Sequence, residues 1–229
     1  ESKLPIAAPS ANKFEHISSV KSSHVIEEFI ENHCLTESIY VLDDSENKNK
    51  LNIESTIVKL NFDKKYFEIL RPGYITKEDL ISLGLDDYQV IESIEYKNKG
   101  DVMDSSGQLI KHYSIDCNTV MIRTNRTLNR NDFQLTGDIA IIDINNLCQR
   151  FAKDLKYYDN LSENNDLIEM YQNYYDKLRI FENFNKLNNV DILYIIVQDS
   201  FKEKSFIEKH NSLVDRIFRT SSGNEINII

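Results

Sequence analysis

Glycine, proline and cysteine are scarce in this chain of 229 residues, and its 27 lysines and arginines are outnumbered by 37 acidic residues. It contains 6 glycines and 3 prolines, where averages of about 7% and 5% are usual. Its cysteines, Cys34, Cys117 and Cys148, are odd in number and widely spaced, which argues against a metal-ligand pair and favours a reducing cytoplasm. The formal net charge of −10 argues against a protein that binds nucleic acid by general attraction to phosphate.

Long apolar runs are also absent. No run approaches the ~20 residues of a membrane span, and no signal peptide is visible, so we expect no membrane association. The five histidines lack zinc-binding spacing, and we predict no metal site formed by protein side chains. The one local basic run, Arg123, Arg126 and Arg130, is interpreted as a solvated loop. Apolar residues make up 41% of the chain, enough for one or two domains with cores of their own.

The first motif lies at residues 4–12, which read Leu-Pro-Ile-Ala-Ala-Pro-Ser-Ala-Asn. The apolar run Ile6–Ala8 is typical of a buried strand, and Pro9 forces the chain out of it. Ser10 and Asn12 follow at the strand end, where open α/β sheets place polar groups that face a ligand. On local pattern alone, a turn or a helix N-cap is the commoner role for such residues.

Two further motifs, Glu-Ser-Thr at residues 54–56 and Arg-Pro-Gly at residues 71–73, stand at the two ends of a predicted β-hairpin. Residues 55–58 and 67–70 have the composition of strands and are joined by the turn-prone residues 61–64. Arg71 then opens an Arg-Pro-Gly motif that closes the second strand. The planar guanidinium of such an arginine can bond phosphate or carboxylate oxygens in pairs, although most arginines at strand ends are solvated surface residues.

The second half of the chain alternates predicted strands with predicted helices. Residues 138–143 and 191–197 are predicted strands, and the latter is apolar enough for burial on both faces. Residues 160–163 introduce a helix whose apolar and tyrosine positions recur at helical spacing, and a final helix runs through residues 206–218. We interpret the helix tyrosines as core residues and the whole as a β-α-β-α unit.

Together and in this order, the motifs resemble those of the YrdC/Sua family of threonylcarbamoyl-AMP synthases. Residues 106–113, Ser-Gly-Gln-Leu-Ile-Lys-His-Tyr, are similar to the linker that folds over the active site in longer members. The resemblance implies an α/β protein: the C-terminal half of a mixed α/β YrdC-like catalytic domain over residues 1–96, a linker over 97–118 and a small Rossmann-like domain over 119–229. It also implies that a preceding half, with a threonine-binding segment and a Lys/Arg motif, completes the catalytic domain.

The resemblance also assigns site residues. The implied ATP-binding residues are Ser10, Asn12, Ser18, Arg71 and Tyr113, and the implied threonine-binding residues are Ser55 and, through its backbone, Ala8. No catalytic side chain is implied, because transfer to phosphorus needs positioning and charge neutralisation more than a protein nucleophile.

The implied function is L-threonylcarbamoyladenylate synthesis. L-Threonine and bicarbonate give N-carboxy-threonine, whose carboxylate attacks the α-phosphate of ATP and expels pyrophosphate. A partner complex then uses the product to form threonylcarbamoyladenosine (t6A) in tRNA. Mg²⁺ would be held through the ATP phosphates and water rather than by a cage of carboxylates.

The sequence departs from the family pattern at several glycines. Asn52, before the Glu-Ser-Thr motif, and Glu15, after the first motif, both stand where the family has glycine. Among matched positions only Arg71 and the linker residue Lys111 supply positive charge, so we expect the chain alone to turn over ATP poorly. The alternatives are a catalytically inactive remnant that binds at most a nucleotide or a partner, and an RNA-associated translation factor, against which the acidic charge speaks.

Overall fold

The computed structural model of the chain contains two β-sheets. It describes the backbone in several stretches. The predicted strand Ile6–Ala8, and with it Ala8, lies outside the described residues, as does Cys34. The side chains of residues 30, 31 and 204–210 are also outside the description. The described residues are 3–5, 10–31, 40–43, 51–85, 87–103, 105, 108–133, 136–198 and 204–228.

A loop and a short helical segment precede the first sheet. Helix α1 (Ser22–Val25) continues as a π-helix over Ile26–Glu31. The buried His24 anchors α1, because its Nε2 lies 3.2 Å from Oδ1 of Asp176 in the second half of the chain. The N-terminal loop is thereby held against the C-terminal part of the protein.

The smaller sheet contains β1 (Ile57–Asn61), β2 (Tyr66–Arg71) and β3 (Gln89–Glu92), side by side in that order. β1 and β2 are antiparallel, and β3 is parallel to β2. Helix α2 (Lys77–Ile81) connects β2 to β3 and begins at Thr76 with a reciprocal capping box, which satisfies backbone N–H groups that the first turn leaves free. The antiparallel pairing of β1 and β2 confirms the predicted hairpin.

The larger sheet has five strands, all parallel to their neighbours. Their spatial order is β6-β5-β7-β4-β8. Every residue of β5 is buried, as are the five central residues of β7, which is the pattern of strands covered on both faces. The strands are β4 (Thr119–Thr124), β5 (Ile139–Asp143), β6 (Tyr157–Asn160), β7 (Ile192–Gln198) and β8 (Glu225–Ile228).

Two long helices join these strands and pack on each other. Asp166 caps α3 (Leu167–Asn188) by accepting a hydrogen bond from Glu169 N, and α4 (Lys204–Thr220) leads from β7 into β8. Tyr171 and Tyr174 of α3 are almost wholly buried. Their hydroxyls lie 2.6 Å and 2.8 Å from the hydroxyls of Ser212 and Thr220 on α4, so the prediction that the α3 tyrosines are core residues is confirmed.

The structure corrects the sequence-based predictions in three places. The predicted β-α-β-α unit is larger than expected, because β4, β6 and β8 join β5 and β7 in one sheet. The helix predicted to begin at residues 160–163 begins at Leu167, because Asn160 still belongs to β6. Arg123 lies in β4 rather than in a solvated loop, and its Nε is 2.7 Å from Oε1 of Glu225. The α/β fold class itself is correct: the chain has a mixed α/β architecture with a parallel five-stranded sheet.

Candidate functional site

A cleft of about 1050 Å³ lies between the N-terminal loop, the segment before β1 and helix α3. Serine hydroxyls line one part of it, and valine, leucine and isoleucine side chains line another, so the cleft can accept a ligand with both polar and apolar parts. Its lining residues are Ser10, Ser18, Ser19, Val20, Lys21, Ser22, Ser23, Val25, Val41, Leu42, Asp43, Leu51, Asn52, Ile53, Glu54, Gln172 and Tyr175.

The carboxylate of Glu54 lies at the wall of this cleft and is saturated with hydrogen bonds. Ser18 Oγ donates to it at 2.6 Å, and the Tyr175 hydroxyl lies 2.9 Å and 2.7 Å from its two oxygens. Arg216 Nε of α4 donates at 3.1 Å. Burial alone would raise the pKa of Glu54, but Arg216 and the donated hydrogen bonds outweigh it and lower the pKa. A carboxylate so stabilised is a poor general base.

Three charged residues of α4 continue this network into the interior. Arg216 is fully buried and donates to Asp215 Oδ2 at 3.0 Å and to the Pro72 carbonyl at 2.7 Å. Arg219, also fully buried, donates to the same Asp215 oxygen at 3.0 Å. Buried charges are tolerated when they are paired and hydrogen-bonded, and here Glu54 and Asp215 balance the two arginines.

The Arg-Pro-Gly motif packs directly on the Glu-Ser-Thr motif. Arg71 is buried, and its Nε and Nη2 donate to the Ser55 carbonyl at 3.1 Å and 2.9 Å. A Cβ on Gly73 would lie 2.3 Å from the Thr56 nitrogen, so only glycine permits this approach. Two of the predicted site residues, Arg71 and Ser55, are thus brought together, and the Ser55 side chain is exposed.

Tyr113, from the predicted linker, lies in the core with 1% of its surface exposed. Its ring centroid is 5.5 Å from that of Tyr175 and 5.9 Å from the guanidinium carbon of Arg216. Within the described part of the chain its buried hydroxyl has no hydrogen-bond partner, and neither has Nδ1 of His112. Burial raises the pKa of Tyr113 to about 12, and Glu54 adds to that effect, so the phenol stays protonated.

The first motif contributes less to this network than the others do. Ser10 and Ser18 both line the cleft. Asn12 instead donates its side-chain amide to the carbonyls of Lys13 and His16, at 3.0 Å and 3.1 Å. Ala8 lies outside the described residues.

Sequence reasoning missed Glu54, Tyr175 and Arg216. Glu54 was passed over although it adjoins Ser55, and Arg216 is separated from it by 162 positions. One signal was available: Asp215, Arg216 and Arg219 interrupt the apolar stripe of the final helix, and charges on a buried face require partners elsewhere in the fold.

A family model described as threonylcarbamoyl-AMP synthase, C-terminal domain, matches residues 75–222, which is more than half of the chain. The chain belongs to this family. No curated protein matches the sequence. None of the helices among the described residues has the length and apolar character of a membrane span, and the same residues contain no cluster of three His, Cys, Asp or Glu side chains that could hold a metal ion.

A solved structure of Sua5 from P. abyssi has a similar fold. That protein is a variant in which an adjacent histidine and tyrosine are replaced by alanine. The TM-score is 0.58 at 15% sequence identity, and the match covers 96% of this chain and 58% of the other. The Sua5-family chain described here therefore spans little more than half the length of that relative, and at this identity the likeness concerns the fold.

Proposed function

We propose that the chain takes part in L-threonylcarbamoyladenylate synthesis, forming threonylcarbamoyl-AMP from L-threonine, bicarbonate and ATP for t6A modification of tRNA by a partner complex. Family membership supports the synthase class. In this proposal Ser10 and Ser18, which line the cleft, bind ATP together with Asn12, Arg71 and Tyr113, which are not among its lining residues. Ser55 and the backbone of Ala8 bind threonine. The proposed location of the protein is the cytoplasm.

The unbalanced charge of Arg71 carries the proposal. Among the described residues its guanidinium bonds only the Ser55 carbonyl and has no carboxylate partner. The neighbouring buried charges cancel: Glu54 and Asp215 offset Arg216 and Arg219. A buried cation without a counter-charge is costly. An anion such as a phosphate group of ATP would supply the counter-charge and accept from the guanidinium N–H groups that do not face the Ser55 carbonyl.

The remaining groups suit positioning rather than covalent chemistry. Ser18 Oγ is held 2.6 Å from Glu54, and Ser55 is fixed through its carbonyl by Arg71. In-line displacement at phosphorus depends mainly on such fixed placement and on charge neutralisation. Mg²⁺ would enter with the ATP phosphates and keep most of its water ligands.

Since the match covers 58% of the P. abyssi chain, we further propose that a polypeptide segment outside these 229 residues completes the site. It would supply cations that neutralise the triphosphate, which Arg71 and Lys111 cannot do by themselves. The chain alone should then bind ATP weakly and release little pyrophosphate. Joined to the segment that completes the synthase, it should release pyrophosphate in the presence of threonine and bicarbonate.

The test compares Arg71→Ala with Arg130→Ala in that completed form. Arg130 is a matched control because it is an exposed arginine, 3.3 Å from Asp154 and away from the cleft. A charge-assisted hydrogen bond is worth about 1.5–3 kcal/mol, so Arg71→Ala should weaken ATP binding and lower turnover roughly 10- to 100-fold. Calorimetric ATP binding without turnover would instead favour a nucleotide-binding module, and equal behaviour of the two variants would exclude Arg71 as the phosphate ligand.

A further inference from the structure

Arg216 belongs to α4, which packs with the five-stranded sheet. Its side chain contacts both the Glu-Ser-Thr motif and the Arg-Pro-Gly motif, which adjoin the three-stranded sheet. Its side chain is wholly buried. Nε donates to the Glu54 carboxylate at 3.1 Å, Nη2 to the Glu54 carbonyl at 3.3 Å, and Nη1 to the Pro72 carbonyl at 2.7 Å. The guanidinium of arginine carries five N–H donors in a rigid planar fork, and it can therefore donate to several acceptors at once.

Each acceptor adjoins a residue of the proposed site. Glu54 immediately precedes Ser55, the proposed threonine contact, and Pro72 immediately follows Arg71, the proposed phosphate contact. One guanidinium therefore sets the separation between the two peptide segments that carry these side chains. Arg71 itself bonds the Ser55 carbonyl, so the two arginines hold the same pair of segments from two sides.

Stability alone does not explain a buried arginine at this position. Replacing a buried ion pair by apolar residues of similar volume is often neutral or stabilising. The surroundings of Arg216 are mixed: the Tyr113 ring lies 5.9 Å away, and Asp215 Oδ2 accepts from Nη1 at 3.0 Å. Asp215 would keep Arg219 as a partner if Arg216 and Glu54 were both replaced by uncharged residues. An apolar side chain, however, could not hold the Glu54 and Pro72 segments in register.

We infer that Arg216 is a positioning residue of the synthase site, through which helix α4 sets the geometry of Ser55 and Arg71. This inference rests on the proposed function for its catalytic consequence. The geometry of the reacting groups then depends on α4, so the region that contains the five-stranded sheet contributes directly to the site. Misplacement of reacting groups by about 1 Å can lower a rate roughly 100-fold.

The test uses Arg216→Lys, the double variant Glu54→Gln/Arg216→Met and, as a control, Arg123→Met in β4. Lysine keeps the charge opposite Glu54 but cannot form the fork, and the double variant removes both charges. Both should fold with melting temperatures close to that of the wild type, yet lose at least roughly tenfold in kcat with threonine. Arg123→Met should keep its kcat, since that side chain pairs with Glu225 away from the cleft.

Hydrogen exchange gives a readout that does not depend on turnover. In Arg216→Lys the amides of residues 51–56 and 70–74 should exchange at least several-fold faster, while those of β7 stay unchanged. If the wild type makes no threonylcarbamoyl-AMP in its completed form, the proposed function fails and the exchange result alone decides whether Arg216 positions the two segments. Unchanged exchange in both segments, or kcat within twofold of the wild type for a stable Arg216→Lys, would overturn the inference.

Discussion

The two sheets of this protein differ sharply in how completely they are buried. In the five-stranded sheet every residue of β5 is buried, and the core that surrounds it runs through α3 and α4. In the three-stranded sheet, β1 has no buried residue and β3 has none either. Large apolar side chains such as Leu60 and Ile91 remain more than a third exposed there. The larger sheet is thus enclosed in a hydrophobic core. The smaller sheet exposes apolar surface, and its stability would increase if another segment or protein covered that surface.

The two regions also differ in what joins them. Within the larger region, contacts are predominantly apolar and aromatic. Across the junction, aromatic packing of Tyr74 on Tyr171 is accompanied by buried ion pairs. Glu54 pairs with Arg216, and Arg179 Nη2 is 2.6 Å from Glu28 Oε2. Buried ion pairs add little net stability but specify one arrangement. These ion pairs therefore specify the geometry of the junction.

The largest expected effect is on the core of the larger sheet. Ile195 is fully buried in β7, the central strand, and Ile195→Ala should lower the free energy of unfolding by about 4 kcal/mol through lost burial and a cavity. Leu60→Ala in β1, where the side chain is 38% exposed, should change it by less than about 0.5 kcal/mol. Urea denaturation of both variants measures the contrast, and equal losses would show that β1 is as well packed as β7.

The next effect concerns the junction. Arg179→Met leaves the Glu28 carboxylate buried without its partner and removes a 2.6 Å bond to the Ile17 carbonyl. We expect a loss of about 3 kcal/mol in the free energy of unfolding. Adding Glu28→Gln should recover most of it, because the uncompensated charge is then gone. A double variant as unstable as the single one would mean that Arg179 acts through its other contacts.

Hydrogen exchange should distinguish the two sheets directly. Amides of β1 and β3 should exchange at least roughly tenfold faster than those of β5 and β7, because local opening exposes fewer buried contacts in the smaller sheet. Mass spectrometry of peptides covering residues 57–92 and 139–198 measures this ratio. Equal and high protection in both would show that the smaller sheet is stable without further covering.

The smallest expected effect is a dependence of stability on acid at the α1–α3 contact. Hydrogen bonds from His24 and Lys21 lower the pKa of Asp176 to about 2, against the burial that would raise it. Since an unfolded aspartate titrates near ~3.9, this stabilisation is complete above about pH 4 and is lost as the pH falls towards 2. Partial exposure reduces it to about 1 kcal/mol. Asp176→Asn should flatten the stability profile between pH 4 and 2, and an unchanged slope would contradict the assignment.

Local patterns in the sequence predicted several elements well. Composition and spacing predicted the hairpin of β1 and β2, the buried strand β7 and the tyrosine-lined face of α3. Each of these features depends on residues that are close together in the chain. β4 was missed because its six residues mix threonine and arginine with apolar side chains, and Arg123 resembled part of a basic loop. The assignments to ATP and threonine binding remain predictions for Ser10, Asn12, Ser18, Arg71, Tyr113, Ala8 and Ser55.

The amino-acid sequence by itself determined the family, the α/β class and the motifs from which the site is built, because each depends on residues close together in the chain. Only the tertiary structure decided which of these residues share a network. Ser18, Glu54, Tyr175 and Arg216 come from four separate parts of the chain and meet at one carboxylate. A buried charge is stable only where partners converge on it in space, and no local pattern records that convergence.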